Sequence, residues 1–319
     1  MKDLFKNTVA YKMISDDKRN GRLAHAYLLI VEDGDLLPVY LRQAAKLIAC
    51  GAEDYCDDCR VCKLIERNMH PDVSFYPKDK KMTVADADEI VAESVVKPLE
   101  LDKRLFVAER PELLNQNQNK LLKTVEEPPD NVYIIMGAEK SSAILPTIKS
   151  RSKTIFVPDF PAEDLVRLTA EDYPDERRAR IAALLSGGKI GVMEKLYNAD
   201  GTGELFDKTL DLLSEAGSAR DIPKFLYGFS DVAPDALAAA IKACVSEIIR
   251  QKCGNKPVID DKRIKNCAEI YPYGALVGMS ERLCALEKKA YFNGNATMLK
   301  DAALFAVLEE KAKWQKLSE

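Results

Sequence analysis

Four cysteines fall within thirteen positions, as Cys50-x5-Cys56-x2-Cys59-x2-Cys62. Zinc prefers four sulfurs in a tetrahedron, and two-residue spacers let successive backbone turns bring their thiolates together on one ion. A CxxCxxC run also begins an iron–sulfur ligand set, but that set needs a further cysteine after three residues. Position 66 is Glu66, so a closed structural zinc is favoured over a cluster or over unligated thiols. A second stretch with chemical meaning is YLLIVEDGDLLPVY, residues 27–40. It has the strand, turn and helix order of a phosphate-binding loop, yet its turn holds one glycine, two aspartates and no lysine. Histidine chemistry has little room: His25 and His70 are the two histidines, and both are read as structural.

These residues need elements to position them. Short runs rich in β-branched or aromatic residues, 26–31, 73–76, 104–108, 132–136 and 154–157, alternate with helical patterns. That alternation predicts a parallel sheet with crossover helices over residues 1–160. Thr83 and Asp86 form a capping box that opens one helix, with Ile90, Val91 and Val95 as its apolar face and Pro98 as its stop. Leu114, Leu121, Leu122 and Val125 share one side of another helix, ending at Pro128-Pro129, whose NQNQN interior is expected to face solvent or a partner. From residue 161 strand signals cease. Residues 161–200 read as short helices around Gly187-Gly188. Longer helices are expected over 204–216, 222–230, 234–253, 274–291 and 296–316, with Pro223, Pro234 and Pro272 at helix starts. A stripe of Leu237, Ile241, Val245 and Ile248 fits an internal core and an interface equally well.

The chain has 319 residues, 47% of them hydrophobic, enough for two or three cores. Its 47 basic and 51 acidic residues give a net charge of −4, which offers no global attraction to nucleic acid. No stretch approaches the roughly 20 apolar residues that span a bilayer, and the N-terminus has no secretory h-region. The expectation is a cytoplasmic protein without membrane partners. Cys244, Cys253, Cys267 and Cys284 are scattered and read as buried thiols.

Three stretches carry a family resemblance: GRLAHAYLLI (21–30), KPLELDKRLFVAERPELLNQNQNKLLKTVEEPPDNVYIIM (97–136) and ILPTIKSRSKTIFV (144–157). They resemble the AAA+ core of bacterial clamp-loader subunits, strongly over about residues 20–200 and more weakly in NATMLKDAALFAVLE near the end. The resemblance implies an α/β AAA+ core over 1–160 with a zinc module at about 50–70, an α-helical lid over 161–202 and an α-helical collar over 203–319.

Against that family's pattern the nucleotide site is degenerate. A working loop needs glycines to expose backbone N–H groups, a lysine for phosphate charge and Ser/Thr for Mg²⁺. Gly34 survives, but Leu37 stands at the lysine position and Pro38 at the Ser/Thr position. Ala108 replaces the Mg²⁺-directing aspartate, although Glu109 remains, and Ala138-Glu139 replaces the sensor threonines. No second sensor arginine can be placed near Gly187-Gly188-Lys189-Ile190. Four parts lost together imply a subunit that binds no ATP. Ser150-Arg151-Ser152 matches the family's Ser-Arg-Cys motif except at its third place. In the family this arginine enters a neighbour's site, so Ser150 and Arg151 are the implied catalytic pair in trans.

The resemblance therefore implies a non-hydrolysing subunit without activity of its own, within the replicative polymerase holoenzyme and its clamp-loader ATPase. Its implied partners are tau/gamma-type motor subunits, a delta-type subunit, the sliding clamp and primed DNA at the replisome. A tau/gamma-type motor is the main alternative, opposed by Leu37 and Pro38. The delta-type arm generally lacks both the cysteine module and the Ser-Arg pair. A stand-alone zinc-dependent nucleic-acid binder is opposed by the charge balance.

Overall fold

The computed structural model describes residues 4–217, 219–290 and 295–316. Tyr291, expected to end a helix, and the outermost residues of the expected domains, 1–3 and 317–319, lie outside it. The chain forms two compact units, one ending at Asp159 and one starting at Phe160. Among the described residues no helix is long and apolar enough to cross a membrane.

The first unit is built on five parallel strands, β1 (Ala26–Val31), β2 (Val73–Tyr76), β3 (Arg104–Glu109), β4 (Val132–Ala138) and β5 (Lys153–Val157), in the order β2-β3-β4-β1-β5. All six residues of β1 are buried, as expected of a central strand covered on both faces. Helices α1 (Val9–Arg19), α2 (Leu37–Ala49), α3 (Arg60–Glu66), α4 (Val84–Ser94), α5 (Asn119–Glu126) and α6 (Pro146–Arg151) complete it. The outgoing connections of β1 and β4 run to opposite sides of the sheet. That makes the crevice at their carboxyl ends the switch point where such sheets bind ligands.

The strand expectations agree with the structure to within two residues at their ends. The capping box is present in full, with the Asp86 N–H donating to Thr83 Oγ1 and the Thr83 N–H to Asp86 Oδ2. Two expectations need correction. Helix α4 stops at Ser94, before Pro98, and Val95 is 75% exposed rather than part of its buried face. The segment before α5 is a 3-10 stretch, Pro111–Gln118, broken at Asn115, which adopts a left-handed φ of 51°. Its polar run does not all face outward. Gln118 is buried, donating to Ala143 O at 3.0 Å and accepting from the Leu145 N–H at 3.1 Å.

The second unit is helical: α7 (Ala162–Leu168), α8 (Glu176–Leu185), α9 (Ile190–Asn198), α10 (Thr202–Glu215), α11 (Ile222–Gly228), α12 (Pro234–Lys252), α13 (Lys262–Ile270), α14 (Tyr273–Ala290) and α15 (Ala296–Lys316). Leu237, Ile241, Val245 and Ile248 are fully buried within it, so the stripe is internal core. Helix α13 was not among the expected helices; it buries a short face of Ile264, Cys267 and Ala268 and leaves Ile270 exposed. Cys244 and Cys267 are buried as expected, whereas Cys253 and Cys284 are exposed.

One buried charge organises the turn that enters β3. Asp72 accepts the N–H groups of Leu99 (2.7 Å), Glu100 (2.7 Å) and Leu101 (2.8 Å). Burial pushes its carboxyl up, but the three N–H bonds, that of Leu99 foremost, hold it below the ordinary carboxylate range. A depressed native pKa places the stabilisation above the unfolded value of about 3.9; it is lost as pH falls through the native value. Asp72→Ala is expected to cost about 3 kcal/mol in urea denaturation of the first unit at pH 7. The difference from the unmodified chain is expected to shrink as the pH is lowered below about 4. A pH-independent difference would contradict this account.

Candidate functional site

The four cysteines are brought together at the end of α2. Cys50 caps that helix, Cys59 caps α3 with its sulfur accepting the Cys62 N–H at 3.4 Å, and Cys56 accepts the Cys59 N–H at 3.3 Å. Their sulfurs lie within 4.8 Å of one another, and Cys50 Sγ is 3.9 Å from both Cys56 Sγ and Cys59 Sγ. Zinc–sulfur bonds of about 2.3 Å in a tetrahedron require sulfurs about 3.8 Å apart, so the cluster can hold a metal ion and its spacing is compatible with zinc. The backbone N–H of Cys59 draws the Cys56 thiol down to about 7, while burial pushes Cys62 up to about 12. Two thiols, Cys50 and Cys62, are buried, and four protein sulfurs leave no open coordination position.

Charged side chains of the surrounding helices hold this knuckle. Lys18 of α1 donates to the carbonyls of Leu47 (2.8 Å), Cys50 (2.7 Å) and Ala52 (2.6 Å). Lys46 of α2, nearly buried, pairs with Asp57 (2.6 Å) and Glu66 (2.5 Å) on either side of the loop. Arg60 of α3 pairs with Glu100, in the turn that Asp72 fixes.

At the switch point the loop between β1 and α2 is closed on itself. Asp33 is buried; its carbonyl accepts the N–H groups of Leu36 (3.1 Å) and Leu37 (3.2 Å), and its Oδ1 accepts that of Asp35 (3.2 Å). These are the N–H groups that a phosphate would need. Leu37 is fully buried and lies on Gly137 of β4, where a Cβ would come within 2.6 Å of its Cδ1. Pro38 sits in the first turn of α2, and Ala108 is buried in β3.

Arg110 lies beside this loop and was overlooked in the sequence. It follows Glu109 at the end of β3 in a left-handed conformation, with φ 51° and ψ 54°, while its N–H bonds the Gly137 carbonyl at 2.7 Å. Its guanidinium donates to Gly34 O at 2.9 Å, to Glu139 Oε1 at 2.7 Å and to Glu109. A Cβ on Gly34 would stand 2.6 Å from Glu139 Oε1, so a larger residue there would have to displace the end of that carboxylate. Glu112 closes the group, accepting the Glu139 N–H at 3.3 Å; burial holds its carboxyl above the ordinary range, and the Glu139 charge adds to this. The signal for Arg110 was available as a basic residue directly after Glu109, but nothing in its spacing indicated which way it would turn.

Arg151 occupies the opposite end of the sheet. It ends α6 two residues before Lys153, which pairs with Tyr27 near the start of β1, whereas the loop follows the far end of β1. Five strand residues separate the two levels, about 17 Å at roughly 3.3 Å per residue. The Arg151 side chain is 41% exposed and pairs with Glu126 at 2.8 Å, and Ser150 Oγ donates to Thr147 O at 3.0 Å. The histidines serve structure: His25 Nε2 lies 2.9 Å from Val125 O, and His70 Nδ1 accepts the Asp72 N–H at 3.1 Å.

Residues 6–161 match the protein family described as "DNA polymerase III, delta subunit". Among curated relatives, subunit delta' of DNA polymerase III from Bacillus subtilis is 30% identical over 192 residues, 59% of this chain and 58% of the relative. The Pseudomonas aeruginosa delta' subunit is 30% identical over 183 residues, 54% of this chain and 56% of that one. The gamma/tau subunit of Mycoplasma pneumoniae is 28% identical over 165 residues, 51% of this chain and 23% of that one. The matches thus span about half the length of the delta' relatives.

Arg110→Ala is expected to leave Glu109 and Glu139 facing each other across the loop, at a cost of about 1–3 kcal/mol. Urea denaturation measures the loss, and amide exchange should rise at Asp35, Leu36 and Leu37. Adding Glu139→Ala is expected to cost less than the sum of the two single changes. Additive losses would show that the pair does not act as a unit.

Proposed function

From the match of residues 6–161 to the family described as "DNA polymerase III, delta subunit", we propose that this chain is a delta'-type clamp-loader subunit. In this role it neither binds nor hydrolyses ATP, and it lends Arg151 to the nucleotide site of an adjacent tau/gamma-type motor subunit during sliding-clamp loading onto primed DNA. The observation that carries the reading is the closed loop. Asp33 occupies the N–H groups of residues 35–37, and Arg110 with its carboxylates fills the crevice beside them. Supporting it is Arg151, exposed and about 17 Å of strand away from that crevice, too far to serve its own loop. In the same reading the first unit is the AAA+ core, residues 161–202 form the lid and 203–319 the collar. The four cysteines hold a structural zinc, and the protein works with a delta-type partner at the replisome.

Chemistry follows from the guanidinium. In a loose phosphoryl-transfer transition state, charge spreads over the equatorial oxygens, and a planar cation from a neighbour stabilises it where water would otherwise stand. Similarity to gamma/tau relatives favours one second reading, a motor subunit. ATP titration of the isolated chain separates the two, since micromolar affinity would belong to the motor and not to this proposal.

Reconstitution with the motor subunits tests the trans role. Arg151→Ala is expected to leave assembly intact and to slow hydrolysis at the facing site by about 10³-fold. Clamp- and DNA-stimulated turnover of the whole complex should fall by at least that site's share. Unchanged turnover would sink the proposal. Metal analysis is expected to find about one zinc per chain. Cys59→Ser should release it and raise amide exchange over residues 50–66 while β1 and β4 stay protected. A chain purified without zinc, yet ordered over that segment, would show that the cysteines stand alone.

A further inference from the structure

Arg151 is held on one side and left open on the other. Its Nε pairs with Glu126 Oε1 at 2.8 Å, and its Nη1 donates to Thr147 O and Ser150 Oγ, each at 3.3 Å. Nη2 has no hydrogen-bond partner among the described residues. A guanidinium is planar, so fixing Nε and Nη1 also fixes the direction of Nη2.

The groups that hold the arginine are themselves anchored. Glu126 is the last residue of α5; its neighbour Val125 is buried, and the Val125 carbonyl lies 2.9 Å from His25 Nε2, at the start of β1. The Glu127 N–H closes the helix on Lys123 O at 3.1 Å, and Pro128-Pro129 prevents its extension. Gln118, buried at the head of α5, clamps the segment leading into α6 through Ala143 O and the Leu145 N–H. Carboxylate and arginine thus come from two helices whose spacing is set by a buried amide and the central strand. An ion pair as exposed as this one stabilises a fold by only about 0–1 kcal/mol. Its larger consequence is orientation, because a free arginine side chain carries about 2 kcal/mol of rotamer entropy.

We propose that Glu126 is a positioning residue for Arg151, holding the guanidinium so that its Nη2 edge meets a phosphoryl oxygen of nucleotide bound to the neighbouring subunit. This rests on the reading of Arg151 as a trans-acting arginine. Glu126 touches no nucleotide in this arrangement; it acts through its ion pair with Nε alone. Thr147 and Ser150 supply the remaining contacts from the same short helix as the arginine, so among the described residues Glu126 is the one holder that comes from elsewhere in the fold.

The test uses full clamp-loader complexes whose motor subunits carry alanine at their own equivalent arginines, so that turnover reports the site completed by this chain. Glu126→Ala is expected to lower kcat about tenfold, the scale of a small misplacement of a catalytic group, with KM for ATP within about twofold. Glu126→Gln keeps the shape of the side chain but loses the charge that pairs with the guanidinium, and is expected to be nearly as slow as Glu126→Ala. Arg151→Ala sets the floor, and the double variant should be no slower than Arg151→Ala alone. Co-elution of the complex and an unchanged melting temperature establish that each variant is assembled. If Glu126→Ala turns over at the unmodified rate, or faster, while Arg151→Ala is slow, the positioning role is overturned and the trans role stands. Glu126→Gln at the unmodified rate overturns it equally, since the ion pair would then not be what holds the arginine. Unmodified turnover in Arg151→Ala overturns the trans role itself.

Discussion

The loop leading into α2 offers a fixed number of backbone N–H groups, and each must find an acceptor. In a phosphate-binding loop that acceptor is the ligand. Here Asp33 supplies it twice over, with a carbonyl for Leu36 and Leu37 and a carboxylate oxygen for Asp35. Most of the crevice follows from that substitution. With the donors satisfied, the Gly34 carbonyl is free to turn inward, and an inward carbonyl needs a cation. Arg110 provides one, and the left-handed backbone at that residue brings its guanidinium round to the loop. Its charge is then balanced by Glu109 and Glu139, which explains why acidic residues gather where a triphosphate would need positive charge.

Hydrophobic packing closes the same space from below. Leu37 stands where a phosphate-binding lysine would project, but a buried Leu37 lying on Gly137 contributes to the unit's core. Polar loop and apolar helix start therefore stabilise one conformation together. A loop of this kind has no need of nucleotide to be ordered, which suits a subunit that would act as a fixed support beside moving motors. The knuckle of four cysteines is tied down in a similar way, with Lys18, Lys46 and Arg60 fastening it to α1, α2 and the turn before β3.

The strands were legible because each is short, rich in β-branched or aromatic residues and set between helical patterns, whether fully buried like β1 or partly exposed like β5. The cysteine spacing was legible because metal ligation depends on residue type and interval. Other features needed three dimensions. Gln118 reads as one more polar residue in NQNQN, and only the return of the chain at Ala143–Leu145 turns it into a buried clamp. Val95 was assigned to a helix face by periodicity, but α4 had already ended. The direction of Arg110 was hidden for a different reason: beyond its neighbour Glu109, its partners Gly34 and Glu139 follow β1 and β4 and meet it only when those strands are aligned with β3. The sequence shows a loop without the lysine and Ser/Thr of a phosphate site, whereas the contacts that close that loop appear only in the fold.

Parallel strands place the two halves of the proposed chemistry at opposite ends of one sheet. Loops leaving the strands gather at the carboxyl edge, with Asp33, Arg110 and Glu139, while α6 delivers Arg151 to the amino edge just before β5 begins. A single subunit of this topology cannot bring its own arginine to its own crevice without breaking the sheet. On the proposed reading the arginine then serves a neighbour and not the crevice of its own chain. Arg151 pairs with Glu126, whereas Arg110 pairs with Glu109 and Glu139, so the charges that close the crevice and the charge that holds Arg151 are separate ion pairs. That separation is the physical reason a closed crevice and the proposed trans-acting arginine are compatible in one chain.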